Sequence, residues 1–189
     1  GKIESLAFGL DRATRTNIFE KPAQWSEPVR MAIANFLENY KTAFALKDID
    51  YIRGIFDDYA IIVTGHMLMR KGNGKGDLSQ QGSKMVEYTQ LSKEEYVRRL
   101  EQQFKKNAFI TLRLTDVGLA QVGRQGDGDL FAIRVAQDYF SSTYADTGYL
   151  FLLVDLNKPD QPLIKVRTWQ PNRDPNINGN FAKDDRYYG

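Results

Sequence analysis

Ahead of Ser26, the apolar residues Leu6, Phe8, Leu10, Ile18, Phe19 and Trp25 keep no sustained period. Residues 1–25 therefore read as an arm packed on the body, or as the end of a preceding domain. From Ser26 the pattern changes. Ser26 suits an N-cap and Pro28 a first helical turn, and Val29, Ile33, Phe36, Leu37, Tyr40, Ala43 and Phe44 then recur at helical spacing. An apolar face this wide predicts a helix lying across a sheet. Asp48 caps a short second helix that buries Ile49, Ile52, Ile55 and Phe56. The β-branched, largely apolar run 59–64 predicts a buried strand, and residues 84–89 a second one. Ser92 and Glu95 have the S-x-x-E spacing of a capping box, opening a third helix with Tyr96, Val97, Leu100 and Phe104 inward.

After Asn107 the period falls to two. Ile110, Leu112 and Leu114 alternate with Thr111, Arg113 and Thr115, and beyond the turn GRQGDGD Phe131, Ile133 and Val135 alternate with Ala132, Arg134 and Ala136. A last hairpin joins GYLFLLVDL to LIKVRTWQP, and the polar tail 171–189 follows. The order is helix, helix, strand, strand, helix, then four hairpin-joined strands. It predicts an α+β domain over 26–170, with about three helices and six strands. A strongly curved antiparallel sheet wrapped around the long N-terminal helix would bury that helix and leave a cavity at its open end. In the strand 149–156, Leu150 to Val154 are apolar in succession, so one alternating set is left on the outer face. The arm or a second copy must cover that set; a homodimer through the sheet face is favoured, with Leu152→Asp expected to weaken it.

Composition narrows the chemistry. With 26 basic against 24 acidic residues in 189, the net charge of +2 gives no field to gather nucleic acid or an anionic membrane. Lys165 and Arg167 share a predicted strand face, but two cations do not make a nucleic-acid surface. Cysteine is absent and histidine occurs once, which leaves no thiolate or multi-histidine metal site, and no cofactor is expected. The glycine-rich stretch RKGNGKGDLSQQGS, residues 70–83, has the wrong spacing for a phosphate-binding loop and reads as a mobile hairpin tip. No apolar run approaches the roughly 20 residues needed to span a bilayer. The chain begins with Gly1, which fits a piece excised from a longer protein, so a missing signal peptide carries no information.

The stretch FLENYKTAFALKDIDYIRGIFDDYAIIVTG, residues 36–65, runs from an aromatic helix through a K-D-x-D break and an F-D-D-x-A segment into a strand. In this pattern the chain resembles the nuclear transport factor 2-like superfamily, the cystatin-like cone fold shared with ketosteroid isomerase and the SnoaL-like polyketide cyclases. The segments SSTYADTGYLFLLVDL and IKVRTWQP are similar to the end of uncharacterised domains of this kind in bacterial envelope proteins. That likeness implies a periplasmic or cell-envelope location.

The steroid isomerases use a helix tyrosine to hold an enolate oxygen and a strand aspartate to move the proton. Aligned without gaps, the resemblance places that tyrosine at Tyr40 and the general base at Thr64. A threonine hydroxyl cannot take up a proton near neutral pH, so the catalytic carboxylate is missing. His66, two residues on, shares the strand face of Thr64 and is the substitute base to consider. The adjacent carboxylates Asp57 and Asp58 at a helix end read as caps or solvent-facing groups. Tyr40, Phe44, Thr64, His66, Tyr88 and Trp169 are the candidate ligand-binding residues, with the aromatics suited to a flat apolar ligand. The expected function is a non-catalytic ligand-binding or protein-assembly module, part of a larger bacterial envelope protein. The alternative is a small-molecule enzyme of isomerase or cyclase type, with Tyr40 as oxyanion donor and His66 as general base.

Overall fold

The computed structural model describes residues 2–3, 26–69, 84–122, 129–172 and 182–183. The glycine-rich stretch 70–83, most of the 123–129 turn and most of the arm and tail lie outside the described residues.

Helix α1 (Glu27–Leu46) follows Ser26, whose backbone is extended but whose side chain makes no capping hydrogen bond; Pro28 in the first turn sets the start. The helix ends at Lys47, which takes a left-handed conformation with φ 57°. Its backbone N–H closes onto the carbonyls of Ala43 and Phe44, and its ammonium donates to the carbonyls of Asn107 and Ala108. The next residue, Asp48, accepts from the Tyr51 N–H and so caps α2 (Ile49–Gly54). The K-D-x-D break is thus a C-cap followed at once by an N-cap. Helix α3 (Lys93–Lys106) starts at Ser92, whose hydroxyl accepts from the Glu95 N–H at 3.2 Å, while the Glu95 carboxylate is engaged by Arg98 and Arg99.

Six long strands follow the predicted order: β2 (Phe56–Met69), β3 (Lys84–Leu91), β4 (Ile110–Gln121), β5 (Leu130–Ser141), β6 (Ala145–Asp155) and β7 (Leu163–Gln170). Two-residue strands, β1 (Lys2–Ile3) and β8 (Ala182–Lys183), lie along the outer edges, giving the order β1-β3-β2-β7-β6-β5-β4-β8. The sheet is not wholly antiparallel as expected: β2 and β7 run parallel. The cause is α3, which carries the chain back so that β4 runs the same way as β3. Three hairpin reversals later, β7 points along β2.

Bulges bend the sheet. Asp116, with φ 49°, sits where the β4–β5 register shifts, and further shifts interrupt β2–β7 and β6–β7. The concave face packs on Ile33, Phe36, Leu37, Tyr40 and Phe44 of α1 and on the apolar face of α3. Of the apolar run in β6, Leu150, Leu152 and Val154 are the inward set and fully buried. Leu152→Asp would therefore put a charge into the core, not into a dimer contact. The outer set is Phe151 and Leu153, which pack beside Ala120, Val122 and Ala132. Among the described residues, no helix is long and apolar enough to cross a membrane.

Candidate functional site

Strand β7 brings two large polar-tipped side chains onto the concave face beside α3. Arg167 and Trp169 are two residues apart and point the same way, into a cavity of about 510 Å³. Its apolar wall comes from Phe44 on α1, Leu91 at the end of β3, Tyr96 and Leu100 on α3, and Tyr139 on β5. Its polar rim comes from Thr64 and His66 on β2, Glu87 and Thr89 on β3, and Gln137 on β5. Tyr144 and Asp146, where the β5–β6 turn enters β6, close the side.

Two glycines make room for the indole. A Cβ at Gly148 would lie 2.6 Å from Cε2 and Cζ2 of Trp169 and 2.6 Å from the Gln170 carbonyl oxygen. A Cβ at Gly65 would lie 2.6 Å from Trp169 Cε3 and 3.3 Å from Tyr88 Cε1. The ring is held in a slot that admits no other side chain, and only 4 % of Trp169 is exposed.

Arg167 is 7 % exposed. Its Nε donates to the Tyr40 hydroxyl at 3.4 Å, and the guanidinium lies over the Tyr96 ring, 5.1 Å from the centroid. No carboxylate is ion-paired with it among the described residues, and its Nη1 is buried without a protein partner there. Asp146 Oδ1 and Trp169 Nε1 are in the same condition, and all three residues line this one cavity. Asp146 accepts from the Tyr144 hydroxyl at 2.9 Å through its other oxygen. Burial pushes its carboxyl above the usual carboxylate range, and the Tyr144 hydrogen bond and the nearby Arg167 and His66 only partly offset that. Burial and the Asp146 carboxylate together push the Tyr144 phenol up to about 12. The His66 ring stands 6.5 Å from the Tyr144 ring, tilted by 31°.

Asn107, at the end of α3, holds this side of the cavity. Its Oδ1 accepts from the Ser142 hydroxyl at 3.1 Å and from the Thr143 N–H and hydroxyl at 3.2 and 2.7 Å. Its Nδ2 donates back to the Gln103 carbonyl at 2.9 Å. The turn that presents Tyr144 is thereby tied to the helix that presents Tyr96.

Of the residues singled out in the sequence, Phe44, Thr64, His66 and Trp169 lie around this cavity. Thr64 donates weakly to the Thr89 carbonyl at 3.4 Å, and His66 is exposed at the rim. Tyr40 is 0 % exposed and sits beneath Arg167, outside the lining. Tyr88 lies across the β2–β3 ladder from Gly65, also outside it. Asp57 pairs with Lys165 at 2.7 Å and Asp58 with Lys93 at 2.7 Å, so both belong to surface ion pairs, in β2 rather than at a helix end. Lys165 and Arg167 do not share a surface: one is ion-paired outside and the other is buried. The sequence reading missed Asp146, Tyr144, Tyr96 and Asn107, and it missed Arg167 as a pocket residue.

No protein-family model matches the sequence, and no curated protein does. Solved structures do match in fold. One is Bd1075 of Bdellovibrio bacteriovorus, with 15% identity over 76% of this chain and 41% of that one and a TM-score of 0.53. A second is the helical cell shape determining protein Pgp2 of Campylobacter jejuni, with 12% identity over 69% and 37% and a TM-score of 0.50. The chain thus spans about two fifths of the length of these two. A third is an NTF2-like protein of unknown function from Pseudomonas putida, with 12% identity over 84% and 96% and a TM-score of 0.53. At such identities likeness speaks to architecture alone. The curved mixed sheet, the helix it wraps and these matches together show that the chain carries the nuclear transport factor 2-like fold.

Proposed function

We propose that the domain is a non-catalytic ligand-binding module serving as one part of a larger bacterial envelope protein. The supporting observation is that Arg167, Asp146 and Trp169, each with a buried polar atom that has no protein partner among the described residues, all line one largely apolar cavity. Each such group carries a desolvation penalty of about 1–3 kcal/mol that a matching ligand group would relieve. Pockets of this size, mostly apolar with a few placed polar groups, are the usual form of a small-molecule site. Tyr40 acts as a positioning residue: its hydroxyl meets Arg167 and does not reach the lining, which argues against its use as an oxyanion donor. A thermal-shift screen of the full chain against a small-molecule library tests the reading, because a specific binder raises the melting temperature by mass action. A library that leaves it unmoved would count against a binding role.

The envelope placement rests on the sequence likeness noted above and on the fold shared with Pgp2, a cell shape determining protein. A homodimer would use Phe151 and Leu153 on the outer face. Sedimentation that stays monomeric across a concentration range, unchanged by Phe151→Asp, would dismiss it. One observation favours a catalytic alternative, and it points away from Tyr40. Asp146 is a carboxyl with a raised proton affinity facing a cavity, the environment in which acid–base groups are found. An Asp146→Asn variant that binds ligand and loses no turnover would remove that alternative.

A further inference from the structure

We infer that the ligand is a monocarboxylate with an apolar, preferably aromatic, body, and that the Arg167 guanidinium is its anchor. The inference rests on the binding reading above and adds the ligand's chemical class.

An arginine keeps its charge at any biological pH, so a buried guanidinium needs an anion or a full set of acceptors. Arg167 has one weak acceptor at Nε, the Tyr40 hydroxyl, and a ring beneath its plane, the Tyr96 phenol. These two contacts fix its orientation while leaving Nη1 buried and unmatched. A guanidinium held in this way is already arranged for a planar acceptor, so little side-chain entropy is lost when one arrives. Asp146 acts on Arg167 through space without forming an ion pair with it among the described residues. A ligand carboxylate would complete the charge balance that the protein leaves open.

Carboxylate fits better than phosphate. A phosphate dianion calls for several cationic or N–H donors, and here Asp146 and Glu87 share the cavity with Arg167. Arg99 also lines the cavity but is ion-paired with Glu95, so Arg167 is the lining arginine without an ion pair among the described residues, and it suits a single negative charge rather than a dianion. The apolar body follows from the lining residues Phe44, Leu91 and Leu100 and from the Trp169 indole.

Isothermal titration and thermal shift of the full chain with matched pairs test this. The probes are 3-phenylpropionate against 3-phenylpropanamide, indole-3-acetate against its amide, and phenyl phosphate. The acids are expected to bind at least about tenfold more tightly than their amides, the ratio that corresponds to about 1.4 kcal/mol. Arg167→Gln should bring that ratio to about one, and Tyr40→Phe, which releases the guanidinium, should lower it. Should Arg167→Gln fail to fold, the comparison on the unaltered chain decides alone. Acids and amides binding alike, or a ratio that survives Arg167→Gln, would overturn the carboxylate anchor and leave the binding module standing. Phenyl phosphate binding as tightly as the acids would overturn the choice of carboxylate. A chain that binds none of these probes and nothing in the wider library loses both readings.

Discussion

Asn107→Ala removes a hub whose loss can be sized. Four hydrogen bonds disappear: three accepted by Oδ1 and one donated by Nδ2. The net worth of each bond already includes the return of water to the exposed partners Gln103, Ser142 and Thr143; at the lower end of the usual range, about 0.5–0.75 kcal/mol for each bond, the loss is about 2–3 kcal/mol. With a urea slope of about 2 kcal/mol/M for a domain of this size, the unfolding midpoint should fall by about 1 M with the slope unchanged. Thr143→Val, which deletes only the 2.7 Å bond, should cost about 1 kcal/mol. In the double variant that cost should vanish, because its acceptor is already gone. Full additivity of the two substitutions, or a loss below about 1 kcal/mol for Asn107→Ala, would refute the hub. The same variant loosens the turn carrying Tyr144, so affinity for any ligand of the cavity should fall with stability.

Gly148→Ala should destabilise by about 1–3 kcal/mol, since one of the atoms in its way is a backbone carbonyl that cannot swing aside. Gly65→Ala meets only side chains and should cost less while shifting Trp169, read as a change in tryptophan fluorescence larger than its change in melting temperature. Asp146 has a folded-state pKa above its unfolded value, so the folded chain holds that proton longer, and stability falls as pH rises from the unfolded value through the folded one. Asp146→Asn should therefore gain stability relative to the unaltered chain at pH 7 and lose that gain below about pH 4, checked by melting temperatures across pH; a gain that grows toward acid would contradict it. Asp57 is shifted the other way, by its hydrogen bond from Lys165. The contribution of that pair is present above the unfolded carboxyl value and should fade as pH falls through the lower folded one, so Asp57→Asn should matter least in acid.

The fold was legible because its signals are periodic and local. The apolar ladder of α1, the Asp48 and Ser92 caps and the alternation at the start of β4 each act over a few residues. The parallel seam was not, because strand direction across a crossover depends on the whole path between β3 and β7. The cavity was half legible. Thr64 was placed by the resemblance and His66 by strand alternation from it, and both line the cavity together with the aromatic candidate Trp169. Arg167 was set down as a surface cation, since nothing in a one-dimensional string tells a buried guanidinium from a solvated one. Asp146 stands at the start of β6 just after a polar turn, and the groups that act on it, Tyr144, Arg167 and His66, come from that turn, β7 and β2. Asn107 marked a change of period, but its hydrogen bonds reach to Ser142 and Thr143, and their pairing is a tertiary fact.

The parallel seam between β2 and β7 has a kinetic consequence. These strands join residues as far apart in sequence as Asp57 and Lys165, and β7 sits in the middle of the sheet rather than at its rim. Until β7 is in place, the β2–β3 hairpin and the β4–β6 meander share no ladder. On a ribosome, the last long strand to emerge is thus the one that fuses two half-sheets, and the entropy of closing that loop must be met before the seam forms. Folding should be slow for the domain's size, with an intermediate that has the β4–β6 meander protected from hydrogen exchange and β2 still open. Arg167 and Trp169 ride on that closing strand, so the cavity is complete only once the seam has formed.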